Sequence, residues 1–199
     1  MLCLAVRVPA LRALGVEREP EIAEVARQNM AANQFAAIEI RTGDVTAGLL
    51  PPADHVFANP PYHSETGTLP GDKVRAVAKH AAAGLITSWI RALAVPLRRH
   101  GTLTMVLAAT ALPEAIAGLQ AVDCPASAAL ALWPKPGRAA KLVLLQGVRQ
   151  GKGPFRLLPG LTLHRPDGGF TEEAEAVLRY GANLALSGNR ELPRHRDSV

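Results

Sequence analysis

At 199 residues, with 48% hydrophobic and 20% charged side chains, the chain is long enough for one domain with a full core and has the mix of a globular protein. A net charge of +5 and a pI of about 9.7 favour a polyanionic partner, although a basic surface that only aids solubility has the same signature. Cys3 and Cys124 give neither metal-ligand spacing nor a disulfide framework, which fits a reducing cytoplasm, and the apolar opening of residues 2–6 ends at Arg7 and Pro9, too soon to cross a bilayer.

In chain order, Leu2–Val8 reads as the last turns of a helix stopped by Pro9. Arg12–Glu17 is a short strand ending on an acid. Pro20 then suits the first turn of a helix through "EIAEVARQNMAAN", with Ile22, Val25, Ala26 and Met30 near helical spacing and Asn33 as a left-handed cap. Ala37–Arg41 and Asp54–Asn59 are the next strands. Lys73–Arg99 is largely helical, with an apolar stripe of Leu85, Ile86, Trp89, Ile90, Leu93 and Leu97, and Pro96 is expected to kink or end it. Gly101–Ala108 is a continuous apolar strand and Leu112–Gln120 a helix.

The last third changes character. Ala128–Trp133 and Ala140–Gly147 read as strands joined by the basic loop "PKPGRAAK". Phe155–Leu158 and Leu161–Leu163 are short extended pieces. Thr171–Leu186 is a helix with Thr171 as N-cap and Glu172 and Glu173 in its first turn. Residues 1–188 are expected to form one domain and residues 189–199 a disordered basic tail. Alternating strands and helices from 12 to 120 predict an α/β, doubly wound, mostly parallel sheet, with the late hairpin adding an antiparallel strand. Such sheets bind ligands beyond the carboxyl ends of their strands, where Glu17, Asp44 and Asn59 all fall.

The stretch "VFANPPYHSETG" carries the chemistry. Two prolines remove backbone donors and stiffen the chain, and Asn59 before Pro60 is driven to an extended conformation. The Asn59 side-chain oxygen and the Pro60 carbonyl then form an acceptor pair suited to a planar amine, and Tyr62 is placed to stack on the ring that bears it. Acceptors on both N–H groups favour a pyramidal nitrogen and stabilise the positive charge that grows as it attacks a methyl group. Each residue also has a plainer reading: Asn59–Tyr62 as a simple turn, Glu17 as a solvated strand end, Asp44 as a turn residue after Gly43. Trp89 reads as core, and Trp133 stands where it could lie near bound RNA.

"NPPY" resembles the motif of class I S-adenosylmethionine-dependent methyltransferases that modify planar nitrogens. "LGVEREPEIAEVARQNMAAN" resembles the second strand and following helix of that Rossmann-like fold, "IRTGDV" its third strand, and "LTLHRPDGGFTEEAEAVL" the C-terminal segment of bacterial tRNA(Val) adenine-N6 methyltransferases. The resemblance implies S-adenosylmethionine as cofactor, with Glu17 on its ribose, Asp44 and Val45 at its adenine, and Asn59 as a further cofactor contact. It implies Asn59, Pro60 and Tyr62 as the catalytic set, Pro61 and Tyr62 against the target base, and a tRNA adenine as substrate. Lys73, Arg75, Lys79 and Arg138 are candidate phosphate contacts or ordinary solvated charges. A monomer or weak homodimer in the cytoplasm, with no membrane partner, is expected. Release-factor glutamine, rRNA guanine and DNA adenine methyltransferases share the motif, and a non-catalytic RNA-binding remnant is the remaining alternative.

One departure stands out. The family's glycine-rich turn has no match here, and "MLCLAVRVP" resembles the helix that follows it, so the fold's first strand is expected to be missing. Either the natural protein starts further upstream or this is a decayed copy. Two interior strands are then expected to have unpaired edges. Losing two or three charge-assisted hydrogen bonds, at roughly 1.5–3 kcal/mol each, weakens cofactor binding by several orders of magnitude. Residues 1–199 alone are therefore expected to bind the cofactor poorly; micromolar calorimetric binding of S-adenosylhomocysteine contradicts this.

Overall fold

The structure is a computed structural model that describes residues 2–8, 10–48, 50–61, 84–184 and 186. Short α1 (Leu2–Arg7) precedes β1 (Ala13–Glu17). Then comes α2 (Pro20–Ala32), which starts on Pro20, whose missing N–H is one the first turn never uses. Strand β2 (Ile38–Thr42) pairs in parallel with β1. A second sheet holds β3 (Ala53–Ala58), β4 (Leu97–Ala108), β5 (Ala126–Trp133), β6 (Leu142–Val148) and β7 (Arg156–Thr162) in the order β3-β4-β6-β5-β7. Only β6 runs against its neighbours: β3 is parallel to β4, β6 antiparallel to β4 and β5, and β7 parallel to β5. This is the α/β, mostly parallel arrangement with one antiparallel strand that the residue pattern predicts, and the Rossmann-like fold that the resemblance implies.

Side chains alternate across the larger sheet, so its two faces feed two cores, with β5 and β6 contributing to both. Leu103, Met105 and Leu107 of β4, Ala129 of β5 and Val143 and Leu145 of β6 meet Ile86, Ile90 and Leu93 of helix α3, described over 84–94, and Leu119 of α4 (Leu112–Ala121). Leu130, Leu144 and Leu161 point the other way, toward Ala174 of α5 (Glu172–Leu178). Burying each such large aliphatic side chain contributes roughly 1.5–3 kcal/mol. Cys124 lies in the first core, where burial pushes its thiol up to about 11. Trp89 packs partly buried against the same core, as its place on the stripe suggests.

Several elements depart from the sequence reading. Asn33 caps α2 at φ −98°, and Gln34 takes the left-handed position at φ 60°. Ala23 and Met30 are the buried residues of α2, whereas Ile22 and Val25 are more than half exposed. A two-stranded sheet is only about 5 Å across, too narrow to cover a helix flank. Pro96 ends α3 outright, and β4 starts at Leu97, four residues before the expected Gly101. Residues 98–100 are exposed and polar and carry no apolar strand signal; Arg98 is tied to Asp54 at 3.1 Å. The two extended pieces after 155 are one strand, β7, irregular at Pro159 and Gly160. Helix α5 stops at Leu178 instead of Leu186, because Gly181 turns at φ 67°. Thr171 does cap it, its hydroxyl oxygen accepting from Ala174 N at 3.1 Å.

Among the described residues β1 pairs only with β2 and β3 only with β4, so each keeps one unpaired edge. No helix among the described residues is long and apolar enough to cross a membrane.

Candidate active site

The acids come together at the ends of β1 and β2. Gly43 N donates to the Glu17 carbonyl at 2.9 Å, which draws the residue before Asp44 onto the end of β1. Glu17 is half-buried, and its Oε1 accepts from Glu19 N at 3.0 Å. Asp44 is exposed, and its Oδ1 accepts from both the backbone N and the hydroxyl of Thr46, each at 2.7 Å. This is an Asx turn, so the plainer reading of Asp44 holds for one of its two oxygens. Thr46 is the partner the sequence reading missed, although "GDVT" carries the signal in an Asp two residues before a Thr. Val45 packs, partly buried, against the core of the larger sheet. The same loop and α3 border an open groove of about 570 Å3, lined by Thr46, Leu50, Ser88 and Arg91 among others.

Those Thr46 hydrogen bonds, the backbone one first, hold the Asp44 carboxyl below its ordinary value of 3.8. Replacing Thr46 by Val removes the hydroxyl and keeps the backbone donor. The Asp44 pKa is expected to return part of the way, read by a carboxyl NMR titration. A depressed folded pKa means that the stability from these bonds is present above pH 3.8 and is lost as pH falls through the folded value.

Asn59 follows β3 directly, exposed, where Ala58 pairs with Met105 of β4. Pro60 behind it is fully buried, and Pro61 is exposed. A buried proline wedged under an exposed amide fixes where that amide sits. Tyr62, Lys73, Arg75 and Lys79 lie outside the described residues.

The far end of this rim is built by the basic loop. Since β3, β4, β5 and β7 share one direction, the loop after Trp133 and the turn after Thr162 leave the same edge as Asn59. Ala109 N donates to the Lys141 carbonyl at 2.8 Å, Arg138 N to that of Lys135 at 3.2 Å, and His164 N to that of Pro134 at 3.2 Å. His164 stacks on Phe170 with centroids 4.9 Å apart. Trp133 is half-buried, and its indole N–H donates to the Pro159 carbonyl at 3.3 Å. Sequence reasoning singled out Arg138 here and passed over Lys135 and Lys141 in the same loop.

The donor set suits a nucleoside. Carboxylates placed like those of Glu17 and Asp44 can accept from hydroxyls and an exocyclic amine, and neither Glu17 Oε2 nor Asp44 Oδ2 takes a hydrogen bond from a described residue. The residues present therefore fit the adenosine half of S-adenosylmethionine, with Val45 as an apolar neighbour.

The profile of the methyltransferase small domain family matches residues 2–116. No curated protein matches the chain. Among solved structures, a protein of Agrobacterium tumefaciens described as a predicted O-methyltransferase superposes with a TM-score of 0.68 at 23% identity, over 88% of this chain and 81% of that one. TrmN of Thermus thermophilus superposes at 0.50 and 12% identity, over 74% of this chain and 40% of its own. A methyltransferase of Pyrococcus furiosus does so at 0.50 and 13%, over 76% and 69%. At these identities the likeness is one of fold.

Proposed function

The chain belongs to the methyltransferase small domain family and is an S-adenosylmethionine-dependent methyltransferase, and from that premise we propose that it methylates the exocyclic N6 amine of an adenine in tRNA, the anticodon-loop adenine of a valine tRNA being the first choice. The observation that carries this reading is Asn59 standing exposed at the carboxyl end of β3 over a buried Pro60. The bound cofactor supplies an electrophilic methyl group next to a sulfonium. Asn59 Oδ1 and the Pro60 carbonyl accept the two N–H groups of the target amine, free its lone pair from the ring, and stabilise the positive charge on nitrogen as the new C–N bond forms and the C–S bond breaks. The surplus proton leaves to water afterwards. Glu17 and Asp44 would hold the adenosine half of the cofactor; the stacking role that the resemblance gives Tyr62 falls on a residue outside the described ones.

An adenine in an anticodon loop is already unpaired, so exposing it costs less than extracting it from a duplex. Because the cofactor is expected to bind weakly, the test raises methyl-labelled cofactor to saturation and offers unmodified tRNA, a release factor and duplex DNA side by side. Label is expected in tRNA, as N6-methyladenosine after digestion. Label only in the release factor or the DNA overturns the substrate assignment and leaves the acceptor chemistry standing.

A further inference from the structure

The net charge of the molecule is unevenly placed. Residues 124–171 hold seven Lys and Arg against one acid, Asp167, so this segment alone exceeds the +5 of the whole chain. That acid is already engaged: its Oδ1 accepts from Gly169 N at 3.0 Å and from Arg165 Nε at 3.3 Å. Three of the bases, Arg149, Lys152 and Arg156, sit at the opposite edge of the sheet, where Arg149 donates to the Val122 carbonyl and Arg156 to that of Leu186. The other four, Lys135, Arg138, Lys141 and Arg165, are on the rim that carries Asn59. Arg138 and Lys141 are exposed and their side chains have no hydrogen-bond or ion-pair partner among the described residues, and Lys135 uses one N–H on the Pro166 carbonyl at 3.1 Å. Their loop is tied by backbone hydrogen bonds to β4 and to the turn after β7, so these charges are presented on a fixed support.

We propose that Lys135, Arg138 and Lys141 form a track for the phosphates of the single-stranded RNA flanking the methylated base. This rests on the reading of Asn59 as the amine site and extends it to the part of the substrate that is not modified. Four strand spacings of about 4.8 Å separate β3 from β7, so the rim spans roughly 19 Å, the reach of a short run of unpaired nucleotides. A target base must be out of its stack to meet Asn59, and its neighbours then run along the rim with their phosphates toward the cations. The recognition is of backbone charge and carries no base sequence.

Each phosphate contact to a single strand adds about 0.7 to the slope of log K against log salt. The double variant Arg138→Gln with Lys141→Gln is therefore expected to lose about 1.4 of slope for an anticodon stem-loop transcript, and about 25-fold in affinity at 0.1 M salt. Oligouridine should show the same loss. Lys152→Gln, an exposed charge at the opposite edge, is expected to leave the slope unchanged. An unaltered slope in the double variant, or an equal loss in Lys152→Gln, overturns the track. The binding readout needs no turnover. If methyl label goes only to a protein amide while the slope falls as expected, the substrate assignment fails and the track survives. If tRNA is methylated by a double variant whose slope is unaltered, the reverse holds.

Discussion

Asn59→Ala is expected to lower kcat for methyl transfer by about 10²–10³-fold, the range found when one preorganised hydrogen-bonding group is removed from a charge that develops in a transition state. KM for tRNA should move little, because the proposed phosphate contacts elsewhere on the rim would carry most of the binding. The amide is exposed, so stability should change by no more than about 0.5 kcal/mol, and a thermal melt separates lost chemistry from lost fold. Asn59→Asp keeps an acceptor oxygen in place of the amide carbonyl and should retain more activity than the Ala variant. A normal kcat in the Ala variant removes the acceptor mechanism; equal loss in Ala and Asp points to the amide N–H2 as the group that matters.

The parts of the fold legible in the sequence are those where proline and short apolar runs leave one solution. Pro20, Pro96 and Pro113 mark the start of α2, the end of α3 and the start of α4, since each removes a donor at a place where only a helix end tolerates it. The apolar cores of β3, β4, β5 and β6 read directly as strands. What stayed hidden depends on partners remote in sequence. The start of β4, "LRRH", has no strand pattern of its own and joins the sheet because Ala53 pairs with Leu97, Ala53 N donates to the Pro96 carbonyl at 2.8 Å, and His100, at φ 64° beside a shift in register, donates its N–H to Arg149 O at 2.9 Å. Leu184 and Leu186 continue a helical period yet pack on the α5 side core from beyond a turn, because Gly181 breaks the helix and the apolar demand is met by a folded-back chain. The site divides the same way. Asn59 and Pro60 announce themselves through their neighbours, whereas the grouping of Lys135 and Lys141 with the Asn59 rim follows only once β6 is known to run against β4 and β5.

Gly160→Ala is the substitution expected to cost the fold most. Gly160 lies in β7 at φ +93°, a region where a side chain costs about 1–2 kcal/mol. A Cβ there would also meet Trp133 Nε1 at 2.5 Å and the Ala131 carbonyl at 2.6 Å. Neither neighbour yields easily. The carbonyl belongs to β5, paired on both sides, and the indole is held by its hydrogen bond to Pro159. Overpacking of this kind typically costs 1–3 kcal/mol. The combined loss is about 2–5 kcal/mol, or roughly 5–15 °C in Tm for a chain of this size. Gly168→Ala is the matched control: φ is +98° there and nothing lies within 4 Å of the added carbon, so it carries the backbone cost alone. A clearly larger fall in Tm at 160 than at 168 assigns the difference to contact with β5, and with it the rigidity of the support from which the basic loop leaves Trp133. Equal falls at the two positions mean that β7 slides aside to admit the methyl group, and that the loop is held more loosely than its hydrogen bonds imply.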